Sequence, residues 1–175
     1  MFRIGTRGSQ LALYQAHTTK ALLEQQPGVT CEIVVIKTTG DRLSEARLSA
    51  IGGKRLFVKE IEDALLDGTV DLAVHSSKDM PAVLPDGLAI GAALAREDAR
   101  DGVVLPASPR EPLASLEAVV AHLGQAPRIG TSSVRRTAQL TRLFPAAQFL
   151  PIRGNLDTRL RKVDTGEFSA IVLAA

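Results

Sequence analysis

The 175 residues are 45% hydrophobic and 3% aromatic, with a formal net charge of +2; this excludes a disordered or fibrous chain and fits one large domain or two small ones. A single cysteine excludes a disulfide scaffold and, with three scattered histidines, argues against a structural zinc site. No charged leader precedes an apolar stretch, and no apolar run approaches the ~20 residues that span a bilayer, so a cytoplasmic protein is the expectation.

Short apolar runs alternate with longer amphipathic ones along the chain. Residues 2–6 read as a strand, and 9–26 as a helix with Ala12, Ala16, Thr19 and Leu23 on one face. Pro27-Gly28 stops that helix. Residues 31–36 are a β-branched strand, followed by a long Gly-containing loop over 38–53. Residues 56–66 read as a helix with Phe57, Ile61, Ala64 and Leu65 on one face. Strands are expected at 70–74 and 88–93. A charged break, Ala95–Asp101, then marks a crossing between two domains, 1–95 and 96–175. Beyond it the pattern predicts strands at 103–105, 128–130, 148–152 and 169–174, and helices at 113–123, 133–143 and 156–163. This alternation predicts an α/β fold with mainly parallel sheets. The last residues, 170–175, are an apolar strand with no polar cap, which reads as a piece of a longer chain.

The modest net charge hides a split. Residues 128–162 hold seven Arg and one Lys against one acid, Asp157, whereas residues 1–127 carry a net −3 and 163–175 a net −2. Concentrated arginine points to an anionic partner: nucleic acid, phosphate or carboxylate.

Three places share a strand, a Gly/Ser turn with Arg, and a helix. They are Gly5-Thr6-Arg7-Gly8-Ser9, Gly130-Thr131-Ser132-Ser133 with Arg135 and Arg136, and Arg153-Gly154-Asn155 with Arg159. Backbone N–H groups at helix starts attract anions, and Arg adds a fork for carboxylate or phosphate. The plain alternative is simple N-capping beside solvated arginines. Three such turns in one small chain tip the balance towards anion binding. Gly52-Gly53-Lys54 is not a Walker A motif, since no Ser or Thr follows the lysine; it is either a flexible turn or a lid carrying a cation. His75-Ser76-Ser77-Lys78-Asp79-Met80-Pro81 follows a strand, where catalytic groups often sit. Asp79 is either half of a surface pair with Lys78 or a carboxylate facing cationic substrate atoms. Cys31 and the helical His17 and His122 read as packing or surface residues.

Taken together, residues 3–16, 51–66, 71–81, 95–101, 129–140 and 152–174 resemble porphobilinogen deaminases, also called hydroxymethylbilane synthases. HSSKDMP, GTSSVRR and RGN form the specific combination. The resemblance implies two domains like the lobes of type II periplasmic-binding proteins around a cleft, with the family's third domain absent from these residues. It implies a dipyrromethane cofactor held through a cysteine of that third domain; Cys31 does not match its context. The implied activity joins four porphobilinogen molecules in turn, releasing ammonia each time, to give a linear tetrapyrrole for haem and related pathways. Asp79 would be the catalytic aspartate. Arg7, Ser9, Lys54, Lys78, Thr131, Ser133, Arg135, Arg136, Arg153, Gly154 and Arg159 would hold the carboxylates of cofactor and substrate. The partners implied are porphobilinogen and the growing polypyrrole chain, with neither nucleic acid nor membrane, and a monomer. Arg55 stands where the family usually has Gly, and Ala50 where some members have Lys. The alternatives are a fragment without turnover, or a module that binds an anion or polycarboxylate. A nucleic-acid binder ranks last, because one Tyr, five Phe and no Trp offer few stacking platforms.

Overall fold

The computed structural model describes residues 1–42, 57–107 and 113–175. The chain divides into two compact units, Met1–Ala93 and Leu94–Ala175.

Unit 1 is built on a three-stranded parallel sheet. β1 (Phe2–Thr6) lies between β2 (Cys31–Val35) and β3 (Leu72–Ala73). Ile4 sits opposite Ile33 on one side and Leu72 on the other. Parallel neighbours need a crossover, and α1 (Gln10–Leu23) supplies the one between β1 and β2. Ser9 caps α1 by accepting a hydrogen bond from the Ala12 N–H at 3.4 Å. Ala16 of α1 packs on Ile4 and Cys31, with Leu23, Ile33 and Val74 around them. Its small side chain lets the helix approach the sheet closely, as an aliphatic core without Trp requires. After β2 come α2 (Thr39–Arg42) and α3 (Lys59–Leu66). α3 buries Ile61 and Ala64.

Unit 2 carries a four-stranded sheet in the order β4-β7-β5-β6. These are β4 (Asp101–Val104), β5 (Arg128–Gly130), β6 (Gln148–Leu150) and β7 (Ala170–Ala174). β5 pairs parallel to both β6 and β7, and only the edge strand β4 runs antiparallel. Helices α4 (Leu116–Leu123), α5 (Val134–Leu140) and α6 (Leu156–Asp164) connect the strands. Successive residues of a strand point to opposite faces, so β7 serves two cores. Val172 joins Ile129, Leu140 and Phe144, with Val120 and Leu123 of α4 against them. Ile171 joins Ile152, Val163 of α6 and Phe168.

The fold is therefore α/β with mainly parallel sheets, as the alternation of elements predicts. One expected strand is missing. Residues 88–93 form no strand; Ile90 is 70% exposed, and the flanking Val83 and Leu94 are 82% and 51% exposed. Ala and Gly make up most of that run, and both are poor strand formers. With no neighbour to complete a ladder among the described residues, its apolar content alone does not make a strand. The loop expected over 38–53 also begins with the helical turn α2, while residues 43–56 lie outside the described ones. The helix expected over 133–143 is shorter, Val134–Leu140, because Thr141–Leu143 turn back towards the core at Phe144; the one expected over 156–163 runs Leu156–Asp164.

Gly130 ends β5 where no side chain fits. A Cβ there would lie 2.9 Å from Ile171 Cγ2 and 3.0 Å from Phe168 Cδ1. Gly130→Ala is expected to destabilise unit 2 by about 1–3 kcal/mol through overpacking, read as a lower urea midpoint at unchanged slope.

Candidate functional site

In unit 1 the carboxyl ends of β1 and β3 deliver two turns to one edge of the sheet. The first is Arg7-Gly8-Ser9, which starts α1. The second is His75-Ser76, which enters a single 3-10 turn over Ser77–Asp79. A small cavity lies between them, lined by Arg7, Ser9, Gln15, Phe57, His75, Ser76 and Asp79 among others. Ser76 Oγ donates to Gln15 Oε1 at 3.0 Å, which ties the second turn to α1. Asp79 and Lys78 are both exposed, Asp79 on the cavity wall.

Arg7 is more constrained than a turn arginine in a sequence suggests. Its guanidinium grips the Asp41 carboxylate, with Nε donating to Oδ1 at 3.0 Å and Nη2 also bound to Oδ1. It lies over the Phe57 ring, 4.3 Å from the centroid, a cation–π contact. Burial pushes the Asp41 carboxyl up, but hydrogen bonds from Arg7 and Thr38 outweigh it and hold the group below the ordinary carboxylate range. Phe57 in turn packs against Gly40, where an added Cβ would overlap the ring. Neither Asp41 nor Phe57 stands out in the sequence as part of a site; the only signal is Thr38-Thr39-Gly40-Asp41, a helix-start pattern.

In unit 2 the neighbouring parallel strands β5 and β6 bring the other two turns side by side. Thr131 N–H extends the ladder by donating to Leu150 C=O at 2.9 Å. Ser132 then bridges the turns: its Oγ donates to Ile152 C=O at 2.9 Å and accepts from Ile152 N–H at 3.2 Å. Thr131 is buried, and its Oγ1 accepts from Ser133 N–H at 3.2 Å. Ser133 Oγ caps α5 by accepting from Arg136 N–H, and Asn155 Oδ1 caps α6 by accepting from Thr158 N–H at 3.0 Å. The capping reading therefore holds at all three turns, Ser9 included. It does not exhaust the hydroxyls, because a Ser that accepts through a lone pair keeps its own proton to donate.

Gly154 has φ +104°, and a Cβ there would lie 2.6 Å from Thr158 Cγ2. Only glycine turns the chain so sharply into α6. Arg153 precedes it, half-buried. Arg159 folds back so that Nε donates to Gly154 C=O at 2.8 Å. Burial, and next the nearby Arg136 charge, push the Arg159 pKa below its ordinary value. Among the described residues no carboxylate pairs with Arg159. A half-buried cation without a counter-anion is a place for an anionic group. Arg135 and Arg136, in contrast, are already engaged by Asp101 of β4. That residue lies in a stretch that reads, in sequence, as no more than a charged break. Of the expected site residues, Lys54 lies outside the described ones, as do Ala50 and Arg55.

Cys31 is 5% exposed and packs beside Ile4 and Ala16 in the unit 1 core. Among the described residues no group of three or more His, Cys, Asp or Glu could hold a metal ion. No helix among them is long and apolar enough to cross a membrane.

Fold and turns define an α/β protein that gathers arginines and capped helix starts at the carboxyl ends of parallel strands. A family model described as porphobilinogen deaminase, dipyromethane cofactor binding domain, matches residues 2–175. Porphobilinogen deaminase of Syntrophobacter fumaroxidans is 51% identical over 176 residues, covering 100% of this chain and 54% of that protein. The enzyme of Sulfurimonas denitrificans is 50% identical, covering 98% and 52%, and that of Acidithiobacillus ferrooxidans is 50% identical, covering 99% and 54%. The chain belongs to the porphobilinogen deaminase family, and it spans about half the length of these curated relatives. Among solved structures, the ancestral amino acid-binding protein AncCDT-1 aligns with a TM-score of 0.45 at 14% identity, over 99% of this chain and 69% of that one.

His75 in the cavity wall gives a testable pH dependence. Burial lowers its pKa; the Glu62 and Asp79 carboxylates raise it and Arg7 lowers it further, with a net fall. The unfolded chain thus binds the proton first as pH drops, so stability is full above the ordinary His value of about 6.5 and falls below it. His75→Gln is expected to flatten the slope of unfolding free energy between about pH 7 and 5; an unchanged slope would remove His75 from that role.

Proposed function

We propose that this chain supplies the dipyrromethane- and porphobilinogen-binding part of a hydroxymethylbilane synthase. The enzyme is a transferase that condenses four porphobilinogen molecules, with release of ammonia, into a linear tetrapyrrole. The carrying observation is Arg159: a half-buried guanidinium with no carboxylate partner among the described residues, beside the other capped and arginine-bearing turn of its sheet edge. Each porphobilinogen brings an acetate and a propionate, so the ligand gains carboxylates as it grows. Fixed guanidinium groups and donor hydroxyls offset that charge, each charge-assisted contact contributing about 1.5–3 kcal/mol.

Dipyrromethane fits this set through its own carboxylates. Porphobilinogen carries the same acetate and propionate groups; Arg135, Arg136, Arg153 and Arg159 would hold the carboxylates of either ligand, with Thr131, Ser133 and the bend at Gly154 shaping the pocket, and Arg7, Ser9, Lys54 and Lys78 would do the same in unit 1. When bound, the cofactor supplies the pyrrole carbon on which the chain is built. Cys31 is unsuited to anchor it, since its sulfur is packed in the unit 1 core. The reading therefore places the thioether on a cysteine other than Cys31.

The chemistry asks for a fixed negative charge near pyrrole N–H groups. Loss of ammonia from porphobilinogen leaves an electrophilic azafulvene, and attack on it puts positive charge on pyrrole nitrogen. Asp79 stands on the cavity wall at the end of β3, held by the 3-10 turn, and its carboxylate stabilises that charge as it develops. It also serves to take up or return a proton at those nitrogens. Ser76 and Gln15 hold the turn that carries it. A polycarboxylate-binding module without turnover shares the arginines but has no use for Asp79.

Asp79→Ala, in the catalytically active enzyme bearing this sequence, is expected to lower turnover at least 100-fold with the circular dichroism spectrum unchanged. Asp79→Glu, which displaces the carboxylate, should retain part of the activity. Uroporphyrin formed after acidification measures both. Near-normal turnover in a folded Asp79→Ala variant would overturn the assignment.

A further inference from the structure

Asp101 lies outside the three arginine-bearing turns, at the start of the antiparallel edge strand β4, yet it holds both arginines that follow one of them. Its Oδ2 accepts from Arg135 Nη1 at 2.8 Å, and its Oδ1 from Arg135 Nη2 at 3.3 Å. The same Oδ1 accepts from Arg136 Nε at 3.0 Å and Nη2 at 2.8 Å. Arg136 Nη1 donates at 2.8 Å to Val172 C=O on β7. Arg136 and Asp101 are largely shielded from water, 15% and 19% exposed, whereas Arg135 is 60% exposed. One carboxylate therefore fixes one edge of each guanidinium. Among the described residues Arg136 has one N–H left over on each Nη; Arg135 Nη1 also donates to Gln139 Oε1 at 3.4 Å, which leaves its Nε–H and one Nη2 N–H to donate.

Charge makes this arrangement necessary. Arg136 is close enough to Arg159 to lower its pKa. Without Asp101, three guanidinium groups would crowd one sheet edge, and repulsion would drive the flexible Arg135 and Arg136 side chains apart into solvent. With it, the crowding is relieved and both side chains are ordered before a ligand arrives. Ordering them in advance removes a rotamer-entropy loss from binding. We propose that Asp101 is a positioning residue for the carboxylate-binding arginines of unit 2: it holds Arg135 and Arg136 in register so that their remaining N–H groups meet ligand carboxylates. The inference rests on the reading of porphobilinogen as ligand.

The sign of one substitution separates positioning from simple charge. Asp101→Asn keeps the shape and removes a negative charge. If Asp101 only neutralised the arginines or competed with ligand for them, a carboxylate ligand would bind more tightly to the variant. Positioning predicts the reverse. Porphobilinogen is titrated calorimetrically into this chain and its variants at fixed pH and salt. The expected Kd for Asp101→Asn is about tenfold higher than for the parent, at an unchanged thermal transition. Asp101→Glu restores the charge at the wrong distance and should fall between the two. Arg135→Gln should also weaken binding, and the double variant should lose less than the product of the two single losses. Equal or tighter binding by a folded Asp101→Asn chain overturns the proposal. Should that variant fail to fold, Asp101→Glu decides: weaker binding supports positioning, and unchanged or tighter binding overturns it. A parent chain that binds no porphobilinogen overturns the ligand reading, and this inference with it. Parent binding with an indifferent Asp101 overturns the inference alone.

Discussion

In a parallel sheet every strand delivers its following turn to the same edge, and both units put this constraint to use. β1 and β3 bring Arg7-Gly8-Ser9 and His75-Ser76 to one edge of unit 1. β5 and β6 do the same for the turns at Thr131–Ser133 and Arg153–Asn155. Helix starts follow directly, so capping hydroxyls and arginines collect without any need for closeness in sequence. The cross-bridge from Ser132 to Ile152 then holds the two unit 2 turns in one register. The cores on either side of β7 keep that edge rigid.

Concentrating cations carries an electrostatic penalty, and each unit meets it in its own way. Unit 1 assigns Asp41 and the face of Phe57 to Arg7. Unit 2 assigns Asp101 to two arginines and leaves Arg159 with a backbone carbonyl. Both internal carboxylates stay ionised through the physiological range, because hydrogen-bonded arginines hold them below their ordinary values. At this edge of unit 2 the outer face of Arg135 and the Arg159 guanidinium thus remain, among the described residues, without a carboxylate, and on the proposed function that is where a carboxylate-rich ligand gains most.

Much of this was legible in the sequence, because the signals were local. Ser9, Ser133 and Asn155 announce helix starts, and the alternation of Val/Ile runs with amphipathic stretches announces α/β layers. The motifs HSSKDMP, GTSSVRR and RGN carry the family likeness. What stayed hidden depends on contacts between residues far apart. Asp41 meets Arg7 across 34 positions and Asp101 meets Arg135 across the same interval; no periodicity marks either acid. The run 88–93 misled for a related reason. A strand exists only where a neighbour completes its ladder, and apolar content cannot report whether one is present.

The burial of Cys31 sets the redox character of these 175 residues. Their one sulfhydryl lies beneath Ala16 of α1 and beside Ile4, with the Lys20 and Glu24 side chains bonded to its backbone carbonyl and amide. Oxidants and alkylating reagents reach so shielded a sulfur through local opening of unit 1 around α1 and the edge strand β2. The folded sequence is thereby insulated from thiol chemistry, and its only nucleophilic sulfur becomes a built-in reporter of that opening motion.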